Sequence, residues 1–179
     1  MAQAIASIVM NFGALERQLT DLLNRLQDCP ANSRTAPKAS LSETVKAIDF
    51  ASHNAFGSSR LADRICAFTD SARRLSARRN ILIHGEMLQT TAGGLVVAHL
   101  RLRPRQRVVY QITAADVIKL DNDITVANIN LELFMLGVVD PRFQESRNNP
   151  ELASQLRNAT ARVGPPTFVP LKKEAFPQL

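Results

Sequence analysis

Tryptophan is absent from this chain, tyrosine occurs once, and aromatic residues make up only 5% of it. A single-strand platform that stacks bases on aromatic faces is therefore poorly supported. Cysteine is scarce as well. Cys29 and Cys66 have no metal-ligand spacing, so they read as free or buried thiols in a reducing compartment. No metal ion and no cofactor is expected. No apolar run approaches the length of ~18 residues needed to cross a bilayer, and the N-terminus shows neither the basic region nor the small-residue cleavage site of a secretory signal. A cytoplasmic protein without a membrane partner is the expectation. Repeats and low-complexity segments are missing too.

What is abundant is arginine. The formal charge is +6 and the pI about 10.0 across 179 residues. Ten arginines fall within residues 60–107, against Asp63, Asp70 and Glu86 alone. The planar guanidinium fork suits phosphate better than an ammonium does. The electropositive middle of the chain thus fits a phosphate-bearing partner, although basic charge alone is a weak indicator.

Apolar periodicity predicts the architecture. Ile5, Ile8, Phe12, Leu15, Leu19, Leu22 and Leu26 alternate by three and four, the stripe of a long first helix. Pro30 and a polar run end it. Ser40-Leu41-Ser42-Glu43 reads as a capping box opening a second helix that runs to about Gly57. Leu61, Ile65, Phe68, Ala72 and Leu75 mark a third helix, expected to continue to about Gln89 before Gly93-Gly94 breaks it. Two period-2 runs around Pro104-Arg105-Gln106 predict a β-hairpin. Thr113 to Asp116 opens a fourth helix, carried by Val117, Leu120, Ile124, Leu131, Phe134 and Val138 and ending near Gly137. The expected fold is all-α, an up-down four-helix bundle with the hairpin inserted before the last long helix. It occupies residues 1–140. Residues 141–179 form an extension: a short helix at about 151–162, then a Pro-rich tail whose Phe168, Val169, Leu171 and Phe176 suit docking on the bundle or on a partner.

The third helix carries Arg79-Asn80-Ile81-Leu82-Ile83-His84-Gly85. A guanidinium can hold a phosphate while an imidazole moves a proton, the pair of groups needed to cleave RNA without a metal. At ~100° per residue, Arg73, Asn80 and His84 share one face, and Asn80 is close enough to His84 to orient it. Arg79 falls in line with the apolar stripe. A guanidinium there needs an acidic partner, such as Glu16 or Asp49, or a cleft or subunit interface to face. The bland alternatives are a surface histidine and a structural salt bridge. A second basic surface is the hairpin. His99, Arg101 and Arg103 are expected on one strand face, with Arg105 and Arg107 at the turn; charge protection of an edge strand explains them equally well.

Arg79-Asn80-x-x-x-His84 on the third helix of a small bundle resembles the motif of the HEPN superfamily. "RNILIHG" is similar to the form of prokaryotic members, and "FGALERQL" at residues 12–19 also fits. The resemblance covers residues 1–140. It implies a homodimer whose third helices meet, and metal-independent RNA cleavage leaving a 2′,3′-cyclic phosphate and a 5′-OH. His84 would be the general acid/base, Arg79 the phosphate ligand and Asn80 the group orienting His84. Arg73, Arg74, Arg78, Arg101, Arg103, Arg105 and Arg107 are the candidate RNA contacts. Relatives of this kind act as toxins or as anti-phage and stress effectors with neutralising partners, while others only bind or scaffold.

Overall fold

A computed structural model describes residues 2–27, 40–89, 94–102, 105–136 and 168–170. Among these the protein is mainly helical, with a small antiparallel sheet. The helices are α1 (Ala2–Gln27), α2 (Leu41–Phe56), α3 (Arg60–His84) and α4 (Ala114–Phe134). The strands are β1 (Glu86–Gln89), β2 (Leu95–Leu102), β3 (Arg105–Gln111) and β4 (Val169–Pro170), in the order β1-β2-β3-β4. Cys29, the Pro30 loop, Gly93, Arg103, Gly137, Val138 and the short helix expected at about 151–162 lie outside the described residues. No helix among the described residues is long and apolar enough to cross a membrane.

Each helix after the first starts where its capping chemistry places it. The Ser40 hydroxyl oxygen accepts the Glu43 N–H at 3.3 Å, and Ser59 does the same for Ala62 at 3.3 Å. Thr113 and Asp116 complete a reciprocal box: the Thr113 N–H donates to Asp116 Oδ2 at 2.8 Å and the Asp116 N–H to Thr113 Oγ1 at 3.2 Å. Gly57 closes α2 at φ 58°, a left-handed backbone that a Cβ would disfavour.

The α1 stripe is buried from Ile8 through Leu26, and Leu120, Ile124, Leu131 and Phe134 of α4 join the same core. Phe68 of α3 meets Phe134 of α4 with ring centroids 5.0 Å apart. Arg78 on α3 meets Asp123 on α4, so the two helices run antiparallel. The C-terminal segment belongs to this core too. Phe168 is buried in it, while Val169 and Pro170 pair with Gln111 and Tyr110 of β3. Residues 168–170 of the tail thus pack on the chain's own core and sheet, while Leu171 and Phe176 lie outside the described residues.

Two boundaries differ from the sequence expectation. The third helix ends at His84, not near Gln89, and Glu86–Gln89 instead form β1 against residues 95–98 of β2. Gly85 marks the exchange. A Cβ there would collide with a Val97 methyl group and the Ile81 carbonyl oxygen, and would stand 3.3 Å from the Ala98 carbonyl oxygen. The strand approaches the helix end so closely that only glycine fits. The hairpin is also longer than expected, since strand pairing reaches Leu102↔Arg105. Arg105 and Arg107 consequently lie within β3 rather than at the turn.

Gly85→Ala is expected to destabilise the fold by about 1–3 kcal/mol, the usual cost of overpacking. Urea unfolding measures it; an unchanged midpoint would mean that β2 does not press on the helix end.

Candidate functional site

The last turns of α3 set two consecutive arginines in opposite environments. The wheel expectation placed Arg79 on the apolar line, yet Arg78 is the buried one, 3% exposed. The buried face of α3 turns along its length. It runs through Ala62, Ile65, Thr69 and Ala72, where α2 packs, and then through Leu75, Arg78 and Leu82. By the end of the helix Arg79 has moved to the flank.

Arg78 donates to Asp123 Oδ2 at 2.8 Å, and its guanidinium lies 5.6 Å from the Phe168 ring centroid. Lys119 holds the same carboxylate at 3.1 Å. Arg78, a candidate RNA contact by sequence, is thus a buried structural clamp between α3, α4 and the C-terminal segment. The desolvation of such a cation must be offset by its partners.

Arg79 is half-buried, with its guanidinium over the Phe12 ring of α1 at 5.5 Å. This cation–π seat fixes the side chain without neutralising it. One amino group, Nη1, donates to Asn80 Oδ1 at 3.0 Å and stands 3.5 Å from His84 Nε2. Its Nε–H is buried and finds no acceptor among the described residues. Neither Glu16 nor Asp49 pairs with it. Asp49 instead takes Arg73, and also accepts the Thr69 hydroxyl at 2.6 Å. Arg79 therefore presents donor capacity that no carboxylate among the described residues satisfies, next to an exposed imidazole on the last residue of α3. A donor aimed at Nε2 uses that nitrogen's lone pair, which places the proton of a neutral ring on Nδ1.

Asn80 was expected to orient His84. The structure sets the Arg79 guanidinium 3.5 Å from His84 Nε2, with the Asn80 carbonyl oxygen accepting from the same guanidinium. The amide fixes the arginine, and the arginine faces the histidine. The long guanidinium stem reaches around the helix where the short amide does not.

The other expected contacts separate. Arg73 is tied to Asp49 and, at 2.8 Å, to Asp70; the Asp49 hydrogen bond is the largest influence holding its guanidinium in the charged form. It works as an α2–α3 tie. Arg74 is exposed on α3. Arg101 faces Gln106 across the ladder, Arg105 faces Leu102 and Arg107 faces Leu100, while Arg103 lies outside the described residues. The structure thus brings Arg79, Asn80 and His84 together and leaves the hairpin arginines on a separate element. Among the described residues, no three His, Cys, Asp or Glu side chains gather as metal ligands.

Phe12, Asp123 and Phe168 carry the site's support and were not singled out as such from sequence. Phe12 was visible only as a core position. The i,i+4 spacing of Lys119 and Asp123 is a sequence signal for a helix-surface pair, but nothing local announces that a buried arginine joins it.

Asp123→Ala should cost about 3–5 kcal/mol, the range for removing one partner of a buried ion pair, here the one between Arg78 and Asp123; thermal and urea unfolding both report it. Cys66 gives a pH-linked readout. Burial, followed by the nearby Asp49 carboxylate, pushes its thiol above the ordinary range. A raised folded value means that stability from this group is full at lower pH and is lost as pH rises into the alkaline range where the thiolate forms. In a Cys29→Ser background, alkylation of Cys66 at mildly alkaline pH should therefore be slower in the native protein than in urea. Equal rates would contradict the shift.

Comparison of the chain with protein-family models, with curated proteins and with solved structures yields no match.

Proposed function

We propose that this protein is a metal-independent endoribonuclease of the HEPN type, acting at a homodimer interface formed by α3. The observation that carries the reading is the Arg79 guanidinium, seated on Phe12, bonded to Asn80, facing His84 and without a carboxylate partner among the described residues. An anion-binding group next to a proton-transfer group is the minimal equipment for the reaction. The fold agrees in outline. Four helices are present among the described residues, with a three-residue α2–α3 link at residues 57–59, antiparallel α3 and α4, and a hairpin before the last long helix. The up-down four-helix bundle is part of the proposal.

The chemistry follows from those groups. Imidazole takes the proton of a ribose 2′-OH, and the oxygen attacks the adjacent phosphorus. The bond from phosphorus to the 5′-oxygen breaks, and that oxygen leaves with a proton. The products are a 2′,3′-cyclic phosphate and a 5′-OH, with no water consumed. Arg79 binds the nonbridging oxygens, whose charge grows in the transition state. One imidazole cannot remove and deliver a proton in the same instant. Two α3 helices facing each other would supply the second His84. In this reading the protein serves as a toxin, anti-phage or stress effector restrained by a neutralising protein.

The test is RNA cleavage in excess EDTA, with product ends identified by mass. His84→Ala should lose about 10²–10⁴-fold in rate, the range of a general acid/base, and Arg79→Ala should lose activity while the fold persists. Equal cleavage by parent and variants would reject the proposal. Binding without cleavage would favour a non-catalytic RNA- or nucleotide-binding module instead.

A further inference from the structure

The side of α4 that looks away from the core is nearly as apolar as the side that looks into it. Val117, Leu120, Ile124, Leu131 and Phe134 go inward. Outward, Ile118, Asn122, Val126, Ile129 and Leu133 fall within ~80° of one another at ~100° per residue. Ile118 is 54% exposed, and Val126 and Ile129 are each 51% exposed. A helix that is apolar on both sides is normally covered on both. Neither neighbouring helix covers this one. Asn11 of α1 holds one flank, donating to Asp121 Oδ1 at 2.9 Å and accepting from Asn128 Nδ2 at 2.8 Å. Arg78 of α3 holds the other through Asp123.

Charge is missing from this surface as well. Residues 2–15 of α1 and 124–131 of α4 contain no charged side chain, in a chain that is 21% charged. The Asn11 bonds set these two stretches side by side. On α1 the row next to Asn11 consists of Ala6, Met10 and Ala14, and Met10 is 74% exposed. The charges at the border are already engaged within the chain, Asp121 by Asn11 and Lys119 by Asp123. Exposed apolar side chains with charge depleted around them mark the core of an interface rather than ordinary surface.

Electrostatics selects the occupant. The chain carries +6, so two copies repel wherever their arginines face each other. A neutral patch lets them lie together without that cost. A partner recruited by opposite charge would go to the arginine-rich middle of the chain instead. A lipid surface calls for lysine or arginine beside the apolar stripe, whereas α4 offers Asp116, Asp121, Asp123 and Glu132 against Lys119 alone. Asn122 suits a symmetric pair, because an amide both donates and accepts and can fix the register of two helices.

We infer that this α1/α4 face is a self-association surface, on which the same face of a second copy packs about a two-fold axis. Helix stretches of ~25 Å, set about 8–10 Å apart, present roughly 500 Å² on each copy. Pairing therefore buries about 1,000 Å², the lower end for a specific interface. The inference goes beyond the ribonuclease reading, since it involves neither Arg79 nor His84. Where the α3 contact forms too, the assembly is a dimer of dimers.

The experiment is sedimentation equilibrium of the full-length protein, up to roughly 100 µM, where a micromolar contact is filled. Val126→Glu combined with Ile129→Glu should halve the mass of the parent. That step is dimer to monomer, or tetramer to dimer where α3 also pairs. Glutamate is a good helix former, so the circular dichroism of the double variant should match the parent. Phe50→Glu, an exposed apolar position on α2, should leave the mass unchanged. A second arm needs no variant: raising salt from about 0.05 to 0.5 M should preserve or tighten association, because screening removes the repulsion. A monomeric parent, an unchanged mass in the double variant, an equal loss from Phe50→Glu, or dissociation by salt would each overturn the inference. A monomeric parent that pellets with phosphatidylcholine vesicles would overturn it in favour of lipid. RNA cleavage is read separately, so its absence from the parent would reject the ribonuclease reading and leave the mass result standing.

Discussion

The buried guanidinium of Arg78 determines how α3 can sit, and everything at the end of that helix depends on it. Its pair with Asp123 and its packing on Phe168 lock one face of the helix toward α4 and the C-terminal segment. Rotating α3 to expose Arg78 would break its pair with Asp123 and lift the guanidinium off Phe168. The next residue projects ~100° around the axis, which carries Arg79 out of the core and onto Phe12. Consecutive arginines thereby divide the labour: one spends its charge on the fold and the other keeps its charge available. The same lock joins residues far apart in sequence, since Asp123 and Phe168 both lie beyond the hairpin.

Close packing of the sheet fixes the second coordinate of the site. Because β2 presses on Gly85, the helix stops at His84 and the chain turns at once into β1. His84 is therefore a helix-terminal residue with an exposed ring, not a mid-helix residue shielded by a following turn. Had α3 continued to Gln89, another turn of side chains would stand over the imidazole. The glycine after the histidine is thus explained by the strand above it, and the histidine's accessibility is the consequence.

Much of this was legible in the sequence because it is local. The α1 stripe, the caps at Ser40 and Thr113, the stop at Gly57 and the alternation in β2 and β3 each arise from residues within a turn or two of one another. The motif residues were legible by the same logic, since Arg79, Asn80 and His84 lie within two turns of one helix. What was not legible is non-local. A fixed 100° wheel placed Arg79 on the apolar line, because it cannot register that the buried face of α3 turns along the helix, from Ala62, Ile65 and Thr69 to Leu75, Arg78 and Leu82. That turn exchanged the roles of Arg78 and Arg79. The strand at Glu86–Gln89 was hidden for a related reason. Met87 and Leu88 suit either period, and only the approach of β2 decides between them.

Under the proposed ribonuclease function, a lone subunit would be half a catalyst. Within one chain the Arg79 guanidinium faces the only imidazole that the motif brings to it, and the remaining histidines sit elsewhere: His53 bonds the Asp49 carbonyl oxygen on α2, and His99 lies in β2. Cleavage by internal attack needs a proton removed on one side of the phosphorus and delivered on the other, so the groups must approach from opposite sides. A second imidazole on the same helix end would approach from the same side as the first. In the proposed dimer, a second copy of the helix related by a two-fold axis would present its own from across the cleft, and the phosphate would then lie between two guanidiniums. Symmetry would thus supply the geometry that one short helix end lacks, and the exposed position of His84 fits that proposal.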